Sequence, residues 1–189
     1  DGTIRVVMGD ATGHGPDEAA LGVALRVAWR SLVVAGTPPT SVLSGLQLVL
    51  DLERHAEDVF ATVCDVTIRP DRTSAEIRLG GHPPPLLVSP TSIKEVTPTS
   101  SGPLLGLVDQ DAWPATPVHP GSDWALMLFT DGIVEGRTPD GDRLDVSGLV
   151  ALAAGAAATG CSLGGLADEV ITGAERANGG PLPDDVALL

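Results

Sequence analysis

The stretch Val6-Val7-Met8-Gly9-Asp10-Ala11-Thr12-Gly13-His14-Gly15-Pro16 decides how this chain reads. An apolar run stops at an aspartate, glycines crowd the turn that follows, and a proline opens the next segment. Thr3 to Met8 is expected to form a strand. Pro16 suits the first position of a helix, where its missing N–H costs nothing. Asp17 and Glu18 in the first turn suit the helix dipole. Leu21, Ala24, Leu25, Ala28 and Leu32 recur at helical spacing, and Gly36 is expected to end the helix.

Working outward, Asp1-Gly2 predicts a turn, so the strand before it is expected to be missing from this chain. Thr40 or Ser41 is expected to cap a second helix that buries Val42, Leu43, Leu46, Val49 and Leu50. Val59 to Ile68 and Ala75 to Leu79 read as a hairpin about the turn Pro70-Asp71-Arg72. Gly80-Gly81-His82-Pro83-Pro84-Pro85 is a rigid connection, and Leu86 to Ser89 and Ile93 to Val96 are short strands. Residues 97 to 123 read as loop with strand pieces. Trp124 to Thr130 is an apolar strand ending at Asp131-Gly132. Helices are expected near 146 to 158 and 162 to 177, and Val186 to Leu189 is a last strand that the chain end cuts short. Strands and helices come in blocks rather than in alternation, which predicts an α+β fold with antiparallel sheets and helices packed outside them.

Composition narrows the function. The 189 residues are 43% hydrophobic, enough for a core. Twenty-five acids against eleven bases give a net charge of -14, which disfavours nucleic acid and an anionic membrane surface as partners. Aromatic residues are only 3%, too few for a base-stacking platform. Cys64 and Cys161 make neither a disulfide framework nor a zinc site; core packing is expected for Cys64. No apolar stretch approaches the roughly 20 residues of a membrane span, and Asp1-Gly2-Thr3 does not open a signal peptide. A cytoplasmic domain is the expectation.

Three acidic points share a setting. Asp10 ends one apolar strand, Asp131 ends another, and Asp184 stands just before Val186 to Leu189. An aspartate after a strand also serves as a turn former or helix cap. If the strands are neighbours, however, the carboxylates converge, and convergent carboxylates stay ionised only with cations between them. Mg²⁺ or Mn²⁺ suits an all-oxygen set best. His14 lies in the same glycine turn; it either bonds within the turn or serves as an acid near neutral pH. His82, ahead of three prolines, reads as structural. The Walker lysine pattern is absent, so nucleotide binding has little support.

These motifs resemble a family. Gly9 to Gly15 looks like the GDxxGHG signature of the SpoIIE/RsbU-type bacterial serine/threonine phosphatases, a branch of the metal-dependent (PPM, type 2C) phosphatases. Gly81-His82-Pro83-Pro84-Pro85-Leu86-Leu87 looks like their GHPPPLL segment, Phe129-Thr130-Asp131-Gly132-Ile133-Val134-Glu135 like FTDGxxE, and Asp184-Asp185-Val186-Ala187-Leu188-Leu189 like the closing DDxxLL strand. The four come in the family's order. The resemblance implies a sandwich of two antiparallel sheets flanked by helices, with two metals at one end. By position, Asp10 would bridge both ions, the main-chain carbonyl of Ala11 would ligate the second, and Asp131 and Asp184 the first. Asp185 is the less favoured member of its pair, and Glu135 matches an acidic position near the site or a third ion. Two ions about 3.5–4 Å apart hold and activate a water that attacks phosphorus in line, with Asp10 and His14 as the catalytic residues. Their charge outweighs distant acids screened beyond about 8–10 Å.

The family's N-terminal acidic strand is not visible, and the segment around Gly141-Asp142-Arg143-Leu144 lacks its usual Phe-Gly. The expectation is therefore one phosphatase domain over 1–189, truncated at both ends, acting on phosphoserine or phosphothreonine. The resemblance implies an anti-anti-sigma (STAS) protein as substrate, in a partner-switching pathway, and a sensor domain upstream. The alternatives are a phosphatase-fold module that binds a phosphoprotein without turnover and a phosphoesterase for small molecules.

Overall fold

The computed structural model describes residues 2–108 and 112–189. In chain order the elements are β1 (Ile4–Ala11), α1 (Pro16–Val34), α2 (Pro39–Glu53), β2 (Ala61–Ile68), β3 (Ala75–Gly80), β4 (Leu86–Ser89), β5 (Ser92–Glu95), β6 (Ala115–Val118), β7 (Ala125–Met127), α3 (Gly132–Glu135), α4 (Asp145–Ala157) and α5 (Leu163–Asn178). Two antiparallel sheets, β1-β2-β3-β6 and β5-β4-β7, make this the expected α+β class. The chain divides into two compact units, Asp1–His82 with Pro98–Gly121 and Pro83–Thr97 with Ser122–Leu189.

In the first unit the alternation of β1 and β2 sets one face of the sheet against the helices. Leu21 of α1 and Leu43, Leu46 and Leu50 of α2 bury against Val59, Ala61, Val63, Leu105 and Trp113. Val42 is also buried and Val49 half-buried, so the predicted stripe of α2 holds. Its cap differs from the expectation. Pro38 occupies the N-cap with no side-chain hydrogen bond and Pro39 starts the helix, leaving Thr40 and Ser41 inside the first turn. Tandem prolines fix φ near the helical value and bring no N–H to be capped. The turn predicted at Asp1-Gly2 falls partly on Asp1, which lies outside the described residues; Gly2 has φ +81°.

One charged group is built into this core. Asp65, in the middle of β2, is 0% exposed. Arg5 of β1 donates from Nη2 to both carboxylate oxygens at 3.1 Å, and the Trp29 indole of α1 donates to Oδ1 at 2.9 Å. The pair thereby ties α1 to the sheet. Buried charge is tolerable only when paired and hydrogen-bonded in this way.

In the second unit, Leu86, Met127, Phe129, Ile133, Leu149, Ala153, Leu166, Val170 and Ala174 form the core. Ser162 caps α5, accepting from the Gly165 N–H at 3.2 Å, and Gly179 closes it in the left-handed conformation at φ +76°. Two expectations are corrected. The strand read over Trp124 to Thr130 is regular only over β7, and Val186 to Leu189 makes a single bridge, Phe129 to Leu188. The single bridge of the closing segment has its cause in Thr130. Its N–H donates to the Ala187 carbonyl at 3.1 Å, but the Ala187 N–H bonds the Thr130 hydroxyl at 2.9 Å instead of a carbonyl. A side chain thus takes over one rung of the ladder. Among the described residues, no helix is long and apolar enough to cross a membrane.

Candidate metal centre

Asp10 and Ala11 are the last residues of β1 and pair with Thr62 and Ala61. Thr12 locks the chain just beyond them. Its N–H donates to the Phe60 carbonyl at 2.9 Å, and its hydroxyl accepts from the Phe60 N–H at 2.9 Å. Gly9 is required by a close approach, since a Cβ there would lie 2.7 Å from the Thr62 carbonyl oxygen. Gly13 and Gly15 have φ +102° and +130°, a region that side chains disfavour. The turn therefore needs glycine at both ends, and His14 sits exposed between them. Asp10 is exposed and Ala11 half-buried. Across the strand pair, Thr62 Oγ1 lies 2.8 Å from His82 Nδ1.

Asp131, Asp184 and Asp185 lie in the second unit. Paired bonds of 3.0 Å between Leu128 and Leu189, with the Thr130–Ala187 contacts, lay the closing segment along residues 128–130. The Thr130 hydroxyl reaches the Asp185 carbonyl at 3.3 Å. Gly132 completes the approach: a Cβ there would stand 2.4 Å from the Asp185 main-chain oxygen. The segment carrying Asp131 thus lies directly against the segment carrying Asp184. Asp184 Oδ1 accepts from the Asp185 N–H at 2.8 Å. Asp131 is half-buried; Asp184 and Asp185 are exposed. Glu135 is engaged by Arg143 at 3.2 Å, which accounts for it as an ion pair.

The structure thus brings Asp131 together with Asp184 and Asp185 in one unit, and Asp10 with Ala11 and His14 in the other. Among the described residues, no three His, Cys, Asp or Glu side chains are grouped so as to hold a metal ion. The side chains of Asp131, Asp184 and Asp185 offer only oxygen, the atom type that a hard divalent cation takes, and the Gly132 contact sets their segments side by side. Cys64 is no competing ligand: burial first, and the Asp65 charge second, push its thiol up to about 12.

Sequence reasoning passed over Asp65 and Thr62. An aspartate inside Val63-Cys64-Asp65-Val66, away from any turn, is itself the signal of a buried pair. Its partners Arg5 and Trp29 come only with the three-dimensional arrangement.

The whole chain, residues 1–189, matches the family Stage II sporulation protein E (SpoIIE). The RsbU and RsbW domains of a Mycobacterium tuberculosis protein superpose with a TM-score of 0.84 at 27% identity, over 99% of this chain and 51% of that one. The PP2C phosphatase domain of SpoIIE from Bacillus subtilis, with a fragment of its regulatory domain, gives 0.80 at 15% identity, over 98% and 53%. The catalytic domain of the serine/threonine phosphatase PstP, in complex with two manganese ions, gives 0.66 at 12% identity, over 97% and 85%. The chain spans about half the length of the first two. The sheets and helices described above are those of the PP2C fold, and with its whole length matched by one family model this chain belongs to the SpoIIE family of PPM-type phosphatase domains.

Proposed function

We propose that this chain is a metal-dependent protein serine/threonine phosphatase domain. It hydrolyses phosphoserine or phosphothreonine on a phosphorylated anti-anti-sigma (STAS) protein in a partner-switching pathway of the cytoplasm. The observation that supports the reading is the Gly132 contact, which lays the segment carrying Asp131 against the segment carrying Asp184. Family membership supports it, as do the manganese ions of PstP and the RsbW domain that accompanies RsbU in the M. tuberculosis relative.

In this reading Asp10, the Ala11 carbonyl, Asp131 and Asp184 would hold two ions, Mn²⁺ or Mg²⁺, with Asp185 beside them. Bound there, such ions would neutralise phosphoryl oxygens and lower the pKa of a water. The protein's share is placement. The Thr12–Phe60 bonds fix the end of β1, and the Thr130–Ala187 bonds fix the closing segment. His14, exposed on its glycine turn, donates a proton to the leaving alkoxide. The two units act as one phosphatase domain under an upstream sensor domain.

The test is phosphate release from a phosphorylated STAS protein by the full-length chain with Mn²⁺. Turnover that falls at least about a hundredfold in Asp131→Asn and Asp10→Asn is expected. Binding without release would replace the enzyme by a docking module, and equal rates on nucleotides would replace the protein substrate.

A further inference from the structure

The register of β1 and β2 makes Asp10 and Thr62 direct partners, so their side chains share one face of the sheet. His82 follows the isolated Val63–Gly81 bridge and is 4% exposed. Thr62 Oγ1 stands between the two, 2.8 Å from His82 Nδ1 and 3.5 Å from the main-chain oxygen of Asp10. A hydroxyl has one hydrogen to give. If Nδ1 were bare, that hydrogen would go to the nearer ring nitrogen, and the Asp10 carbonyl would receive nothing from the Thr62 hydroxyl. If Nδ1 carries hydrogen, it donates to Oγ1, and the hydroxyl turns its own hydrogen to the carbonyl. Both contacts are hydrogen bonds only in the second arrangement.

We propose that His82 is a positioning residue: its Nδ1–H donates to Thr62 Oγ1, which commits the threonine hydroxyl to the Asp10 carbonyl and fixes the peptide joining Asp10 to Ala11. Turning that peptide would move the Asp10 side chain and the Ala11 carbonyl together. The relay lies wholly within the first unit. The inference deepens the metal reading and rests on it for its purpose. Groups that orient metal ligands from behind typically alter metal affinity about 10–100-fold when removed.

Two measurements on the full chain test it. The first needs no metal: a long-range ¹H–¹⁵N spectrum of the histidine rings, with His82 assigned by His82→Asn. Hydrogen on Nδ1 is expected, and a bare Nδ1 with hydrogen on Nε2 overturns the proposal whatever the metal does. The second is calorimetric titration with Mn²⁺. Thr62→Val and His82→Ala are expected to weaken binding at least about tenfold, while Thr62→Ser, which keeps the hydroxyl, and His82→Asn, which keeps a donor, recover most of it. Wild-type affinity in Thr62→Val, with affinity lost in Asp10→Asn, overturns the positioning role alone. Wild-type affinity in Asp10→Asn overturns the metal reading and, with it, the purpose assigned to the relay.

Discussion

Replacing Gly132 by alanine isolates the contact on which the acidic site depends. Gly132 opens α3 and is not among the positive-φ glycines, so alanine meets no backbone strain there. Helix propensity alone would favour the substitution by up to about 1 kcal/mol. The opposing term is steric. The new Cβ would lie 2.4 Å from the Asp185 carbonyl oxygen, 3.1 Å from its carbonyl carbon and 3.3 Å from that of Asp184. All three are backbone atoms, so no side chain can swing aside. Relief requires the 184–185 segment to withdraw by about 1 Å, and forced overpacking of this kind costs about 1–3 kcal/mol. That withdrawal also breaks the Thr130 hydroxyl bond to Asp185, already at 3.3 Å, a net loss of about 0.5–1.5 kcal/mol. The control is Gly22→Ala in α1, where a Cβ meets nothing within 4 Å; it is expected to stabilise by about 0.5–1 kcal/mol. Urea unfolding followed by circular dichroism reads both. Gly132→Ala should lower stability by about 1–3 kcal/mol with an unchanged slope. A Gly132→Ala protein as stable as wild type would refute the close approach of the two acidic segments.

Asp65→Ala should cost about 3–5 kcal/mol, because it leaves the Arg5 guanidinium and the Trp29 N–H without their acceptor; joint replacement of Arg5 by Met and Asp65 by Leu should recover most of it, and a loss below about 1 kcal/mol in the single variant would contradict the buried pair. In the native protein at about pH 8, iodoacetamide should alkylate Cys161, which is half-buried, and spare Cys64, whose thiol sits at about 12; labelling of Cys64 before unfolding would contradict its burial. The Asp145 carboxyl is held below its ordinary 3.8, first by the Ser147 hydroxyl and then by the Gly148 N–H. A lowered folded-state pKa contributes stability above the ordinary value and loses it as the pH falls through the folded one. Wild type should therefore exceed Asp145→Ala in stability at neutral pH, and the gap should close as the pH falls below the ordinary 3.8 and through the lowered folded-state value.

Much of the fold was legible because local and global signals agree. Pro16, the acidic first turn and the apolar spacing placed α1, and Pro70-Asp71-Arg72 placed the hairpin of β2 and β3. What escaped depends on partners remote in the chain. The Thr130 hydroxyl that interrupts the closing ladder is an ordinary strand threonine in sequence, and its effect requires the Ala187 N–H opposite. The short α3 lay hidden because its four residues, Gly132 to Glu135, are too few to show a helical period. In the candidate site, the aspartates and glycines stood out as strand ends and turns. The Thr62–His82 pair did not, since only the register of β1 on β2 sets Thr62 beside Asp10.

The most direct test of the account is a Mn²⁺ titration of the full chain, read by calorimetry, for wild type and for Asp10→Asn, Asp131→Asn and Asp184→Asn singly. Loss of at least about tenfold in affinity in each variant, with the fold retained, is predicted. Wild-type affinity in all three would contradict the assignment of these carboxylates as the metal centre.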